Sequence, residues 1–143
     1  MSKNKIFVFT FFLLFTITIG SMGDEPIRKV INLDGTWNIA EGTMDTVPEQ
    51  FPFVVPVPGL VDMSSPDFFE VGIKSDRREC FWYHRTFSID GKIPDVALLK
   101  VHKAKYGTKV ILNGQTLGEH LPCFTPGWFD VKDAIKEKKK KNE

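Results

Sequence analysis

The sequence lacks three features that would indicate a helical, nucleic-acid-binding or metal-binding protein. No segment repeats its apolar residues with the period of about 3.6 that is typical of an amphipathic helix. Lysine plus arginine number 19 and aspartate plus glutamate number 18, which gives a formal net charge of +1. Such a balance creates no broad positive field for nucleic acid. The two cysteines and three histidines have no metal-ligand spacing, so we predict no metal and no nucleic-acid partner.

Recognisable catalytic motifs are missing as well. The chain has no nucleophile elbow around a serine and no glycine-rich phosphate loop. Five acids lie in the irregular region 60–79, among them Asp62, Asp67, Glu70 and Glu79. Paired carboxylates can act as general acid and base, but solvated loop acids are the simpler interpretation. We predict no catalytic residue and no cofactor.

Residues 1–23 are predicted to be a signal peptide. A short positive segment precedes the apolar run 6–19, which only three threonines interrupt. This run is shorter than the roughly 20 residues of a membrane-spanning helix, and the small residues Gly20, Ser21 and Gly23 follow it. We therefore expect a secreted or periplasmic chain over 24–143, with no stable membrane anchor after cleavage. An uncleaved anchor is the alternative, because the cleavage site lacks a clean A-x-A pattern.

The two cysteines allow two interpretations in an oxidising compartment. Cys80 and Cys123 could form a disulfide there. Cys80 opens a predicted central strand, where a buried free thiol would behave as a small hydrophobic residue. The sequence leaves both alternatives open.

Short β-type runs alternate with turn residues through the remaining chain, a pattern typical of an all-β sandwich or barrel. Asp34-Gly35 is predicted to reverse the chain between its first two strands, and Asn113-Gly114 to form a two-residue type I′ hairpin, because both of its residues tolerate positive φ. The predicted strands cover residues 30–33, 37–40, 53–57, 80–89, 96–104, 109–112, 115–117 and 128–131, with a helical turn at 133–136.

The strand over 80–89 follows a long irregular loop at 60–79. We predict that this loop is functional or contacts a partner, because Phe68 and Phe69 would be costly to leave in water. Within the strand, alternation places Phe81 on an apolar face that Arg85 interrupts. We expect Arg85 to snorkel to solvent or to pair with a carboxylate.

Five segments occur in the order seen in the N-terminal sugar-binding domain of glycoside hydrolase family 2. They are LDGTW at 33–37, VPVPG at 55–59, WYHRTFSI at 82–89, VILNGQTLGEH at 110–120 and FTPGWFDVKDAI at 124–135. The chain over roughly residues 30–135 therefore resembles this domain of β-galactosidases, β-glucuronidases and β-mannosidases. It departs from the family at His84, where a charged residue is frequent, and at Cys123, where a glycine is common.

The resemblance implies a jelly-roll, galactose-binding-like β-sandwich over residues 24–143. In the family, an immunoglobulin-like sandwich and a TIM barrel with two catalytic glutamates follow this domain. Neither is present in these 143 residues. The segment KEKKKKNE at 136–143 resembles the polar turn before a further strand. We therefore expect a domain that is incomplete at its C-terminus and lacks its last strand or strands.

Sugar sites combine aromatic rings that stack on pyranose faces with polar groups that bind hydroxyls. The predicted carbohydrate-binding residues are Asp67, Phe68, Trp82, His120 and Trp128. Trp82 either packs against a second layer or faces outward, and Trp128 has a core position as its alternative. Trp37 is expected to be a core anchor.

Three functions remain open at this point. The first is a non-catalytic domain of a secreted family 2 enzyme acting on β-linked sugars, with carbohydrate and the remaining glycosidase domains as partners. The second is a free-standing carbohydrate-binding module without hydrolytic activity. The third is a structural interaction domain. Carbohydrate would be bound weakly by this chain, or through the missing catalytic domain.

Overall fold

Seven β-strands and one short 3-10 helix form the regular structure of the described part of the chain. The computed structural model describes residues 28–137 and 140–143, so the predicted signal peptide lies outside the described residues. All regular elements belong to the unit Asn32–Glu143, and the described residues of the preceding unit, 28–31, are irregular and exposed. The elements are β1 (Gly35–Gly42), β2 (Phe53–Val57), the 3-10 helix (Val61–Met63), β3 (Cys80–His84), β4 (Leu98–Val101), β5 (Thr108–Leu112), β6 (Gln115–His120) and β7 (Gly127–Asp130).

The first sheet has the order β2-β1-β3, with antiparallel pairing on both sides of β1. Its buried face carries Ile39 and Val55, which are 0% and 1% exposed. The loop after β2 folds back to add the Phe68 ring to this cluster. Partly buried side chains complete the first core: Trp37, Phe53, Val57, Val61, Val71 and Phe81. The predicted anchor role of Trp37 is confirmed, and its indole N–H donates to the Leu33 carbonyl at 2.8 Å.

The other four strands form two antiparallel pairs, β4 with β7 and β5 with β6. Leu112, Val131 and Ala134 form a second buried cluster. Side chains from several elements pack against it: Phe87, Ala97, Leu99, Leu117 and Ile135. The predicted all-β sandwich is therefore confirmed. Among the residues that the structure describes, no helix has the length and apolar character needed to cross a membrane.

The Asn113-Gly114 hairpin is confirmed. Gln115 pairs with Leu112, which leaves two residues at the turn between β5 and β6. Asn113 has φ 53° and Gly114 has φ 83°, the left-handed values that a type I′ turn requires at both central positions. A register shift between Val110 and Ile111 marks a bulge in the same ladder.

The predicted first strand and its turn are wrong. Residues 30–33 are irregular, and Asp34-Gly35 leads directly into β1 without a hairpin. A hairpin at Asp34-Gly35 would pair residues 30–33 with residues 36–39 of β1, but β2 already pairs with residues 35–39 and β3 with residues 38–42. Asn38 and Ile39 are therefore paired on both sides and cannot accept a further strand.

The strand predicted over 80–89 is shorter than expected, because β3 ends at His84. Beyond it, Arg85 donates through Nη1 to the Thr36 carbonyl, so the expected carboxylate partner is replaced by a backbone oxygen. Phe87 pairs with Asn142 instead of β1, through N···O distances of 2.9 Å in both directions. Asn142 is 0% exposed. The polar turn expected over 136–143 therefore contains a fully buried residue that bonds to the sandwich.

Candidate functional site

The structure divides the five predicted carbohydrate-binding residues between two regions. Asp67, Phe68 and Trp82 belong to the first sheet and its irregular loop. His120 and Trp128 lie where β6 ends and β7 begins. The predicted site is therefore not a single constellation.

Phe68 is a core residue, which corrects its assignment as a sugar contact. Its ring is 9% exposed and lies 4.2 Å from the Phe53 ring centroid and 5.0 Å from that of Phe81. A ring packed between two others has no free face for a pyranose. The neighbouring Phe69 is 75% exposed instead, and Asp67 is exposed beside them.

Trp82 packs under the segment that follows β1, which was one of its two predicted alternatives. A Cβ added to Gly42 would lie 3.2 Å from Cδ1 of the indole. The indole N–H donates to the Thr43 carbonyl at 2.9 Å. The polar edge of this ring is therefore occupied within the protein, while its sugar-binding role stays a prediction.

A polar cleft opens beside this segment, between residue 43 and residues 75–79. Its volume is about 320 Å³. Arg78 closes one wall, with a side chain only 6% exposed and Nη1 2.9 Å from the Glu41 carboxylate. Its guanidinium also lies 4.8 Å from the Phe81 ring centroid and donates to the Phe69 carbonyl. The lining residues are Thr43, Ser75, Asp76, Arg77, Arg78 and Glu79.

Two of the four acids predicted to be solvated loop residues, Glu70 and Glu79, have structural partners. Glu70 accepts a hydrogen bond from the Ser75 hydroxyl at 2.6 Å, and Glu79 accepts one from the Met44 N–H at 2.8 Å. Burial, and secondarily the Glu79 charge, raise the pKa of the Cys80 thiol above its ordinary value. Cys80 and Cys123 are both free thiols, so the structure favours the alternative without a disulfide.

The second region is the end of four strands, which we call the rim. Val101 at the end of β4 pairs with Gly127 at the start of β7, and Thr108 at the start of β5 pairs with His120 at the end of β6. The loops 102–107 and 121–126 extend from these strand ends. The rim consists of those two loops together with the strand residues Lys100, His120, Gly127 and Trp128.

His120 contacts both the 121–126 loop and the start of β7 at the rim. Its Nε2 lies 3.0 Å from the Thr125 carbonyl oxygen and 3.1 Å from the Thr125 hydroxyl. Because a carbonyl can only accept, Nε2 donates in the first contact. A Cβ added to Gly127 would lie 3.0 Å from the His120 Cβ, so β6 and β7 approach closely only because residue 127 is glycine. His120 thus fixes the 121–126 loop.

Trp128 lies on the outer face of the β4–β7 pair. Its partner on β4 is Lys100, and the Lys100 ammonium lies 4.9 Å from the Trp128 ring centroid. The neighbouring pair, Leu99 with Phe129, faces the core, and Phe129 is buried. Trp128 is 50% exposed, so the alternative core position for this residue is wrong.

Sequence reasoning missed three exposed apolar side chains at the rim. Tyr106, Leu121 and Phe124 are 82%, 73% and 84% exposed. A Cβ added to Gly107 would lie 3.6 Å from Cδ2 of Leu121, so the two loops are in contact. Their sequence signal was visible as large apolar residues next to Gly107, Pro122 and Pro126, since turn residues commonly place their neighbours at the surface. In the described residues, no group of three or more His, Cys, Asp or Glu side chains could hold a metal ion.

Comparison with known proteins shows a likeness to a solved structure. No protein-family model matches the chain, and no curated protein matches it either. Among solved structures, the chain is similar to Bifidobacterium dentium β-glucuronidase complexed with coumarin-3-O-glucuronide, with 25% sequence identity and a TM-score of 0.57. The likeness covers 77% of this chain and 18% of that chain. It indicates a domain related to glycoside hydrolases, which agrees in part with the resemblance to family 2.

Proposed function

We propose that the chain is a non-catalytic β-sandwich domain of a secreted glycoside hydrolase family 2 enzyme that acts on β-linked sugars. The likeness to a β-glucuronidase over 77% of the chain carries this proposal. The five ordered sequence motifs point independently to the same family. Because the chain spans only 18% of that enzyme's length, we assign hydrolysis to other domains of the complete enzyme and name those domains as partners.

The genomic reading frame tests the assignment to a larger enzyme. We expect the DNA downstream of codon 143 to encode a TIM barrel, in a continuous or a frameshifted frame. Purified chain should release no p-nitrophenol from p-nitrophenyl β-glucuronide, β-galactoside or β-mannoside. Hydrolysis that disappears in Asp67→Asn or Glu70→Gln would contradict the non-catalytic assignment, and an absent barrel frame would contradict the larger enzyme.

The residues before the sandwich provide a test of secretion. A C-terminally tagged full chain should reach the periplasm or the medium, and mass spectrometry should find a new N-terminus near residues 20–24. Deletion of residues 2–19 is the matched control and should leave the protein in the cytoplasm. Equal export of both forms would contradict the signal peptide.

A free-standing carbohydrate-binding module is the second candidate function. The exposed aromatic side chains at the rim favour it, since such rings are available to stack on sugars. Glycan binding by the chain without a downstream barrel frame would favour the module. Absence of both would favour a structural interaction domain.

A further inference from the structure

We infer that the rim is a binding surface for an acidic saccharide, a chain of uronate or similarly anionic sugars. This inference rests on the proposed carbohydrate function and adds the place and the charge class of the ligand. Two observations carry it: large aromatic side chains exposed at the rim, and a concentration of positive charge around them.

Three aromatic side chains at the rim are exposed to solvent and do not pack in either core cluster. Tyr106 and Phe124 stand on the two touching loops, and Trp128 lies beside them on β7. Tyr106 has φ 71°, a left-handed conformation that residues other than glycine rarely adopt. Leu121 adds apolar surface between the loops. Rings that are held outward in this way offer flat apolar faces to the C–H faces of pyranose rings.

Positive charge is concentrated on the same surface. Residues 96–118 contain four lysines and no aspartate or glutamate, although the whole chain is nearly neutral. Lys103 and Lys105 lie in the rim loop, and the Lys105 ammonium is 5.0 Å from the Tyr106 ring centroid. Lys100 lies in the same way over Trp128. The nearby acid is Glu119, which stands opposite Lys109 in the β5–β6 ladder.

The pairing of lysines with aromatic rings favours a uronate chain over a neutral glycan or a nucleic acid. A neutral glycan would use the rings and leave the lysines without anionic partners. A uronate chain would present one carboxylate per acidic sugar to the lysines and its pyranose faces to the rings. Nucleic acid also stacks on aromatic rings, but its affinity depends on neutralising many phosphates, and the rim contributes three lysines, Lys100, Lys103 and Lys105. The chemistry therefore favours the acidic saccharide.

A matched pair of glycans tests the charge requirement. We would measure binding of the full chain to β-1,4-linked oligoglucuronate and to a cello-oligosaccharide of the same length by isothermal titration calorimetry at low salt. We expect the oligoglucuronate to bind about tenfold or more tightly and to lose affinity as NaCl increases, because screening weakens exposed charge pairs. Equal affinity for both glycans, or no binding to either, would overturn the inference.

Variants locate the binding to the rim. Lys103→Ala/Lys105→Ala and, separately, Tyr106→Ala/Phe124→Ala should each weaken oligoglucuronate binding by about three- to tenfold, consistent with modest energies for exposed cation–π and stacking contacts. Lys92→Ala/Lys132→Ala is the control, since it removes the same number of exposed lysines from outside the rim, although Lys132 also lies 3.9 Å from Asp95. Loss of binding in the control alone would overturn the inference.

Two further results distinguish a different ligand at the rim from a failure of the proposed function. Tighter binding of a single-stranded DNA 12-mer than of oligoglucuronate, lost in the same rim variants, would overturn the saccharide in favour of nucleic acid. The downstream reading frame decides the proposed function independently. A barrel frame without oligoglucuronate binding would reject only the inference about the rim.

Discussion

At the scale of single residues, the fully buried Asn142 shows how a polar side chain is accommodated inside the protein by hydrogen bonds. Asn142 is 0% exposed, and its Oδ1 accepts from the Lys136 N–H at 2.7 Å and from the Asn113 side-chain amide at 2.9 Å. Its Nδ2 donates to the Lys136 carbonyl at 3.1 Å. Buried polar groups without partners are costly, so this amide connects the chain end, the β5–β6 turn and residue 136.

We expect Asn142→Ala to lower the free energy of unfolding by about 2–3 kcal/mol, because it removes three hydrogen bonds and leaves buried partners unsatisfied. Urea denaturation followed by far-UV circular dichroism measures the loss. Lys141→Ala, at an exposed neighbouring position, is the control and should change stability by less than about 0.5 kcal/mol. Similar effects of both substitutions would contradict the structural role of Asn142.

Two adjacent arginines provide a second comparison at this scale. The Arg78 side chain is 6% exposed and bonds to Glu41 at 2.9 Å, whereas Arg77 is 58% exposed and 3.7 Å from the same carboxylate. We expect Arg78→Ala to cost about 2–3 kcal/mol, because a partly buried Glu41 loses its near partner. Arg77→Ala should cost less than about 1 kcal/mol, as exposed pairs do. Thermal unfolding of both variants in parallel measures the difference, and equal costs would contradict it.

At the scale of the elements, the β5–β6 hairpin shows what local sequence can specify. Asn113-Gly114 determines the turn because its two residues tolerate left-handed φ, and this tolerance requires no partner elsewhere in the chain. The first predicted strand failed for the opposite reason. Residues 30–33 have suitable β-type side chains, but Asn38 and Ile39 of β1 are already paired on both sides by strands that are distant in sequence.

Gly114→Ala tests the hairpin directly. No heavy atom lies within 4 Å of an added Cβ, but φ is +83°, so strain rather than a clash should destabilise the protein by about 1 kcal/mol. Chemical denaturation gives this value. Gln115→Ala, at the next and exposed position, should have a smaller effect, and a Gly114→Ala variant as stable as the parent would contradict the left-handed turn.

At the scale of the whole molecule, two apolar clusters form the interior of the sandwich. The first contains Ile39, Val55 and Phe68, and the second contains Leu112, Val131 and Ala134. The chain after β3 links them, because Phe87 packs against the second cluster while β3 pairs with β1. We therefore expect the two clusters to unfold together.

Phe68→Ala and Leu112→Ala should lower one common unfolding transition, each by about 2–5 kcal/mol, because both remove buried apolar groups. Tryptophan fluorescence and far-UV circular dichroism should report the same midpoint. Phe69→Ala is the control for Phe68→Ala, since the Phe69 side chain is 75% exposed, and it should cost less than about 1 kcal/mol. Two separate transitions in either core variant would show that the clusters unfold independently.

The candidate sites also combine features that neighbouring residues specify with features that only contacts between distant residues specify. Large apolar residues beside turn residues could have indicated the exposed Tyr106 and Phe124 at the rim. Alternation along the chain could not place Phe68, because its burial depends on a loop that folds back onto β1 and β2. Residue type alone made it a sugar candidate, and only packing made it a core residue.

The sequence by itself determined the all-β class, the long irregular loop and the Asn-Gly hairpin, since these depend on backbone preferences of neighbouring residues. Only the tertiary structure decided which strands adjoin β1, why Asn142 is buried, and how lysines and rings meet at the rim. These features depend on contacts between residues far apart in the chain, and chain propensities carry no information about which distant surfaces will meet.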